Sequence, residues 1–264
     1  MAREKAAALL KVTDLTKVYQ GKKKEEFAAL NQVSFELAET ETLSIVGESG
    51  SGKTTIAKII AGIIPATSGE MTYAGQPLTF ARKNTLRKEI QYIFQESAAA
   101  LDPRMKIQKI IEEPLRLHYD YSPKQREEII VSLLNDVGLS SDIRLRYPKE
   151  LSGGQCQRIG IARALAGNPK ILVCDEPTSA LDSTIQIQIL DLMMNLKKKK
   201  NFSYIFITHS LGVAKAISNR VLVMKKGEIV EQGDTAEIFR SPKHTYTRTL
   251  LSSVPRIELP YYEI

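Results

Sequence analysis

Cysteine is scarce in this chain, long apolar runs are missing, and no segment repeats. Its 264 residues include two cysteines, Cys156 and Cys174. They form neither a Cys-x-x-Cys pair nor a disulfide framework, which argues against a structural zinc site and against an oxidising compartment. No apolar stretch reaches the roughly 18 residues that a bilayer-crossing helix needs. The opening residues Met1-Ala2-Arg3-Glu4-Lys5 carry an acid and lack a long apolar signal core, so a cytosolic location is expected by default. The absence of internal repeats and low-complexity tracts sets aside repeat architectures.

What is present is ordinary globular composition, 43% hydrophobic and 25% charged. That balance fits one large α/β domain, or a core carrying a smaller inserted subdomain. The net charge of +7 would suit a nucleic acid or an anionic membrane. It is dispersed, however. Lys22-Lys23-Lys24 is followed at once by Glu25-Glu26, and Lys197-Lys198-Lys199-Lys200 follows an amphipathic helix, at an end where the helix dipole favours cations. Positive charge alone does not choose the partner.

The strongest local signal is Gly47-Glu48-Ser49-Gly50-Ser51-Gly52-Lys53-Thr54, directly after the apolar run Leu43-Ser44-Ile45-Val46. Average composition gives the G-x-x-x-x-G-K-[ST] pattern roughly a 1% chance of arising in a chain this long. Its three glycines allow backbone N–H groups to point inward at one anion. Lys53 can reach terminal phosphates, and Thr54 offers a hydroxyl to Mg²⁺ where a helix begins. Strand, loop and helix follow in the required order, so the chain is expected to bind a nucleoside triphosphate.

Around this loop the chain changes character twice. Strand-like segments (Leu10-Lys11-Val12, Val33 to Leu37) flank a polar turn and predict a small β-layer ahead of the phosphate strand. Gly69 to Tyr73 and Ile90 to Phe94 read as further strands. From Ser97 to Leu151 helical spacing dominates, as in Ile107, Ile110, Ile111 and Leu115, with Pro103, Pro114, Pro123 and Pro148 as punctuation. This predicts an inserted helical subdomain. Apolar strands then alternate with helices, including one over Ser183 to Leu196, the pattern of a parallel sheet wrapped by helices. The last residues, Val254 to Ile264, are expected to be loosely held.

Two more stretches carry chemistry. Asp175 and Glu176 end the apolar strand Ile171-Leu172-Val173-Cys174. Successive strand side chains point opposite ways, so the two acids are expected to differ in role: one to hold Mg²⁺, the next to polarise an attacking water. Leu151-Ser152-Gly153-Gly154-Gln155 reads as a cap and the start of a helix, hence a second anion site with bare amides. One nucleotide does not need two such cradles from one chain. The second is therefore expected to close on a nucleotide held by another protomer.

Taken in order, these residues resemble the ATP-binding cassette (ABC) ATPases over nearly the whole chain. The resemblance implies a P-loop NTPase (RecA-like) α/β core, an N-terminal antiparallel β subdomain and an inserted α-helical signature subdomain. It divides the chain into core residues 1–95 and 159–240, helical residues 96–158, and a tail at 241–264. It further implies that Tyr19 stacks on adenine and that Gly47, Ser49, Gly50, Gly52, Lys53, Thr54 and Thr55 hold the ATP phosphates. Ser152, Gly153, Gly154, Gln155 and Asp182 would face the partner's nucleotide. Thr54, Gln95 and Asp175 would serve Mg²⁺, and Glu176, His209, Gln95 and Lys53 would serve catalysis. Read singly, Tyr19 is a strand-edge aromatic, Gln95 a surface amide and His209 a strand-end imidazole; only their order along the chain favours the functional roles.

Ser241-Pro242-Lys243-His244-Thr245-Tyr246-Thr247-Arg248, Leu250 to Pro255 and Leu101-Asp102-Pro103-Arg104 resemble the peptide and nickel importer ATPases. Relatives usually have Pro where Thr245 stands, a turn glycine in place of Thr40, and Asp in place of Ser210. The resemblance implies a peripheral subunit on the cytoplasmic face of the cell membrane. It would pair with a second, homologous ATPase, act on two transmembrane permeases, and depend indirectly on a substrate-binding protein for peptide or nickel cargo. A groove in the helical subdomain would receive a short helix from each permease. No cysteine follows Cys174, so an iron–sulfur cluster is not expected. The competing class, a soluble ABC ATPase acting on nucleic acid or the ribosome, has only the positive charge in its favour, and no nucleic-acid partner is expected.

Overall fold

The computed structural model describes residues 8–20, 26–81 and 84–252. The chain forms two compact units, Met1–Arg82 with Ser203–Ile264, and Lys83–Phe202. The first unit opens with β1 (Leu10–Gln20) and β2 (Glu26–Leu37), a long antiparallel pair. Next comes β3 (Thr42–Val46), buried at all five positions, as a strand covered on both faces must be. After the phosphate loop, α1 (Lys53–Ile60) buries Ile56, Ala57, Ile59 and Ile60 along one face. Then β4 (Ser68–Tyr73) and β5 (Gln76–Pro77) complete an antiparallel sheet in the order β2-β1-β4-β5.

The second unit contains α2 (Asn84–Glu89), β6 (Ile90–Ile93), α3 (Ile107–His118), α4 (Pro123–Asp136), α5 (Gly153–Leu165), β7 (Ile171–Asp175) and α6 (Ser183–Lys200). Strands β6 and β7 pair in parallel. The chain then returns to the first unit through β8 (Ser203–Ile207), α7 (Leu211–Ile217), β9 (Arg220–Lys225), β10 (Glu228–Asp234), α8 (Thr235–Arg240) and α9 (Thr245–Ser252). There β3 lies between β8 and β9, parallel to both, and β10 runs antiparallel to β9. The expected α/β P-loop architecture with its antiparallel β layer is the one observed.

Three details differ from the sequence reading or complete it. Pro123 and Pro148 do open helical segments, the first behind a Ser122–Gln125 capping box. Pro114 instead lies inside α3. An interior proline costs a helix about 3 kcal/mol. Against that stand Ile107, Ile110, Ile111 and Leu115, all at most 1% exposed, and each fully buried large aliphatic contributes about 1.5–3 kcal/mol. Burial wins and the helix continues. Leu117, two residues on from Leu115, is 68% exposed, so the apolar positions of α3 divide between core and surface.

Helix α6 runs on to Lys200 rather than stopping at Leu196, and Asn201 ends it with φ 52°. The lysine run is thus its last turn. Two of those lysines tie α6 to α4: Lys199 and Lys200 sit 2.5 and 2.9 Å from the Asp136 carboxylate. Burial pushes that carboxyl up, but the hydrogen bonds and charges of the two lysines outweigh it and hold it below its usual value. Finally, Thr40 adopts φ 55°, as the turn glycine of relatives implies. A left-handed conformation costs a residue with a Cβ roughly 1–2 kcal/mol.

Candidate nucleotide site

In the first unit, strand register sets the site. Ile45 of β3 pairs with Ile207 of β8. Gly47 and His209 each lie two residues past that pair, so the phosphate loop and the histidine leave the same edge of the sheet, at the strands' carboxyl ends where α/β folds bind ligands. Gly47, Gly50 and Gly52 have φ of 152°, 77° and 102°. A Cβ at Gly47 would lie 2.2 Å from the Met224 carbonyl oxygen, and one at Gly52 would lie 2.5 Å from that of Ala29. The loop therefore has no room for a side chain at Gly47 or Gly52, whereas Gly50 faces open space. Its ring of backbone amides is a cradle suited to phosphate.

Lys53 is only 5% exposed. Its Nζ donates to the carbonyl oxygens of Gly47 and Glu48 at 2.8 and 2.7 Å. Thr54 is exposed and Thr55 half-buried on the first turn of α1, where N-cap Gly52 supplies no side-chain cap. Ser49 is exposed at the loop's crest. Tyr19 is 42% exposed near the end of β1, with Lys17 Nζ 5.1 Å from its ring centre. Phe27, directly opposite in register, is 62% exposed. Sequence reading passed over Phe27; its place on the partner strand of a hairpin was the available signal. Ser210 caps α7 by accepting from the Val213 amide at 3.3 Å, the role Asp would fill.

The second unit repeats the geometry. Ile93 pairs with Cys174, and Gln95 and Glu176 lie two residues beyond that pair. Gln95 Nε2 donates to Glu176 Oε2 at 3.2 Å and to Ser179 Oγ at 3.4 Å. Glu176 sits at φ 46°, a strained conformation that its neighbours hold: the Ser179 amide and hydroxyl both donate to the Glu176 carbonyl, at 3.2 and 3.1 Å. Asp175, 3% exposed, accepts from the Tyr92 hydroxyl at 2.6 Å. Burial and then the Asp175 contact push the Tyr92 phenol up, so it stays a neutral donor. In the sequence Tyr92 reads as a member of the strand Ile90 to Phe94, with no role at the site. A polar-tipped aromatic inside a short apolar strand three residues before Gln95 was its one signal.

The segment at residues 152–155 forms a complete capping box. Ser152 Oγ accepts from the Gln155 amide at 3.3 Å, and Gln155 Oε1 accepts from the Ser152 amide at 3.0 Å. The two glycines behind it differ. A Cβ at Gly154 would lie 2.8 Å from Ile185 Cγ2, whereas one at Gly153 would make an ordinary 3.7 Å contact with Leu181. Asp182 caps α6 by accepting from the Ile185 amide at 3.0 Å. The importer-type tail places residues 245–252 in α9, with Thr245 at the first helical position, where Pro is also favoured. The rest of that motif, from Ser253 onward, lies outside the described residues.

Residues 30–179 match the ABC transporter family, and residues 230–263 match the oligopeptide/dipeptide transporter C-terminal region. The oligopeptide transport ATP-binding protein OppF of Haemophilus influenzae is 46% identical over 88% of this chain and 71% of its own length. The dipeptide transport ATP-binding protein DppF of the same organism is 43% identical over 94% and 79%. The putrescine export system ATP-binding protein SapF of Escherichia coli is 41% identical over 92% of each chain. Among solved structures, the dimeric post-hydrolysis state of the ATP-binding cassette MJ0796 bound to ADP and Pi superposes with a TM-score of 0.77. It is 32% identical, covering 86% of this chain and 98% of that one.

Proposed function

This chain belongs to the ABC transporter family as an ATPase, and from that premise we propose that it drives import of peptides through a membrane complex. It works there as one of two homologous ATPase subunits on the cytoplasmic face, bound to two permease chains, with a substrate-binding protein delivering cargo. The observation that carries the nucleotide reading is the phosphate loop, where Gly47 and Gly52 leave no space for a Cβ and the lysine is buried. The importer assignment is supported by the C-terminal region shared with oligopeptide and dipeptide transporters. Functionally we divide the chain into core residues 1–95 and 159–240, helical residues 96–158 and tail 241–264.

In this reading Tyr19 stacks on the base. Gly47, Ser49, Gly50, Gly52, Thr54 and Thr55 hold the phosphates, together with Lys53. Thr54 and Asp175, a hydroxyl and a carboxylate, are the hard oxygen donors Mg²⁺ takes alongside phosphate oxygens, with the Gln95 carbonyl as a further candidate. When bound, Mg²⁺ supplies positive charge to the triphosphate. Glu176 acts as general base, drawing a proton from the water that attacks the γ-phosphorus as ADP leaves, and no covalent intermediate forms. The Gln95 amide donates to Glu176 and so aims its carboxylate. His209 and Lys53 stabilise charge on the transferring phosphate. The partner's Ser152 to Gln155 segment and Asp182 complete the site across a head-to-tail dimer, whose closure on ATP and opening after hydrolysis move the permeases.

In the second unit, a groove of about 570 Å³ is lined by residues including Arg104, Lys106, Lys109, Glu113, Arg116 and Leu117. Its exposed Leu117 and basic rim support docking of the permease's cytoplasmic helix there. The function is tested by purifying the tagged chain from membranes with its neighbours. It should bring down multi-spanning permeases, and ATP hydrolysis by the complex should rise when peptide-loaded binding protein is added. Recovery without a membrane partner, or turnover stimulated by nucleic acid instead of peptide, would sink the reading.

The two signature glycines separate partner contact from packing. Gly153→Ala has room within its own chain, so its melting temperature should stay near wild type. Its ATP hydrolysis should fall at least tenfold, about 1.4 kcal/mol, because the methyl group intrudes on the partner's nucleotide. Gly154→Ala must displace Ile185, and it should lose stability as well. Normal ATPase activity in Gly153→Ala would count against the dimeric site.

A further inference from the structure

The importer-type tail reaches the phosphate loop. Tyr246 on α9 is 7% exposed and packs in the cluster formed by Val46, Val223, Leu211 and Ile238. Its hydroxyl oxygen accepts the Glu48 amide at 3.2 Å. That amide belongs to the peptide group whose carbonyl, on Gly47, accepts Lys53 Nζ at 2.8 Å. In a trans peptide the N–H and C=O point in opposite directions. Tyr246 and Lys53 therefore hold one peptide unit from its two ends.

The tail is built to aim that hydroxyl. Glu231 accepts the Lys243 and His244 amides at 2.7 and 3.0 Å. His244 Nδ1 accepts the Tyr246 amide at 3.1 Å and the His244 carbonyl accepts the Arg248 amide at 3.2 Å, closing the first turn of α9. Lys225 Nζ lies 4.6 Å from the Tyr246 ring centre. The loop is braced elsewhere by the main chain, where the Gly227 amide donates to the Ser51 carbonyl at 3.0 Å. Tyr246 joins this bracing from the tail through its side chain.

We propose that Tyr246 is a positioning residue for ATP binding: by fixing the Gly47–Glu48 peptide it sets the orientation of the lysine-bearing loop, so the C-terminal region contributes directly to nucleotide affinity. The inference rests on the nucleotide site proposed above. Tyr246→Phe keeps the ring, its burial and the lysine contact, and removes only the acceptor. In the full-length chain this variant should melt within about 2 °C of wild type, because a single hydrogen bond contributes little to global stability. Amide exchange of residues 47–52, followed by mass spectrometry without nucleotide, should quicken. The dissociation constant for ATP, measured by calorimetry, should rise roughly three- to tenfold, the range of one hydrogen bond. Turnover at saturating ATP should be unchanged in the assembled complex, giving an effect on KM without one on kcat.

Wild-type exchange and wild-type affinity in Tyr246→Phe would overturn the proposal, as would a change in only one of the two. Lys53→Ala is the control for the underlying reading. If the wild-type chain fails to bind ATP, or binds it equally well without Lys53, the site assignment falls and takes this inference with it. If Lys53→Ala loses ATP and Tyr246→Phe does not, the inference alone falls.

Discussion

Glu176→Gln is expected to bind ATP as well as wild type, to accumulate as an ATP-locked dimer, and to turn over about 10²–10⁴ times more slowly, the usual contribution of a general base. The substitution is nearly isosteric. It preserves an oxygen that can accept from Gln95 Nε2, now at 3.2 Å from the carboxylate, and it leaves the strained backbone at φ 46° supported by Ser179 as before. What it removes is the ability to take a proton from water. Single-turnover ATP hydrolysis by the assembled complex, set beside equilibrium ATP binding, separates these properties. Undiminished hydrolysis would show that another group activates the water, and lost binding would show that Glu176 belongs to the nucleotide's hold rather than to the chemical step.

Lys53→Ala should fail earlier, at binding. The residue is 5% exposed and its ammonium donates to two loop carbonyls. A hydrogen bond to a charged group contributes about 1.5–3 kcal/mol, so losing even one such bond to phosphate weakens affinity by roughly 10- to 150-fold. Removal also leaves the Gly47 and Glu48 carbonyls without that donor, so the loop itself should loosen. Calorimetric titration with ATP reads the first effect directly. Affinity near that of wild type would overturn the assignment of this loop as the nucleotide site.

These two residues also show how differently the parts of the site can be read. Lys53 was legible because the loop is local: eight consecutive residues, three of them glycines, carry the cradle in their own order. Ser152 to Gln155 was legible for the same reason, since a capping box is a contact between residues three apart. The helix over Ile107 to His118 is legible from its apolar spacing, yet Pro114, which by local propensity marks a boundary, lies inside it. Propensity is a local quantity, while the burial that overrides it depends on which helices pack against α3.

Tyr92 and Tyr246 could not be found that way. Tyr92 meets Asp175 across 83 positions of sequence, and Tyr246 meets Glu48 across 198. Nothing in either tyrosine's neighbourhood says that a carboxylate or a loop amide will stand opposite its hydroxyl. Strand register brings the first pair together, and the packing of α9 brings the second.

The sequence by itself determined the phosphate loop, the acidic strand end, the capped glycine helix and the kinship they carry, because each is written in a few adjacent residues whose backbone chemistry needs no distant partner. The tertiary structure alone decided that Gln95 meets Glu176, that Tyr92 holds Asp175, that Lys199 and Lys200 are tied to Asp136, and that the tail touches the loop. Those contacts join residues far apart along the chain. Only the closing of the sheets and the packing of the helices sets the distances between them.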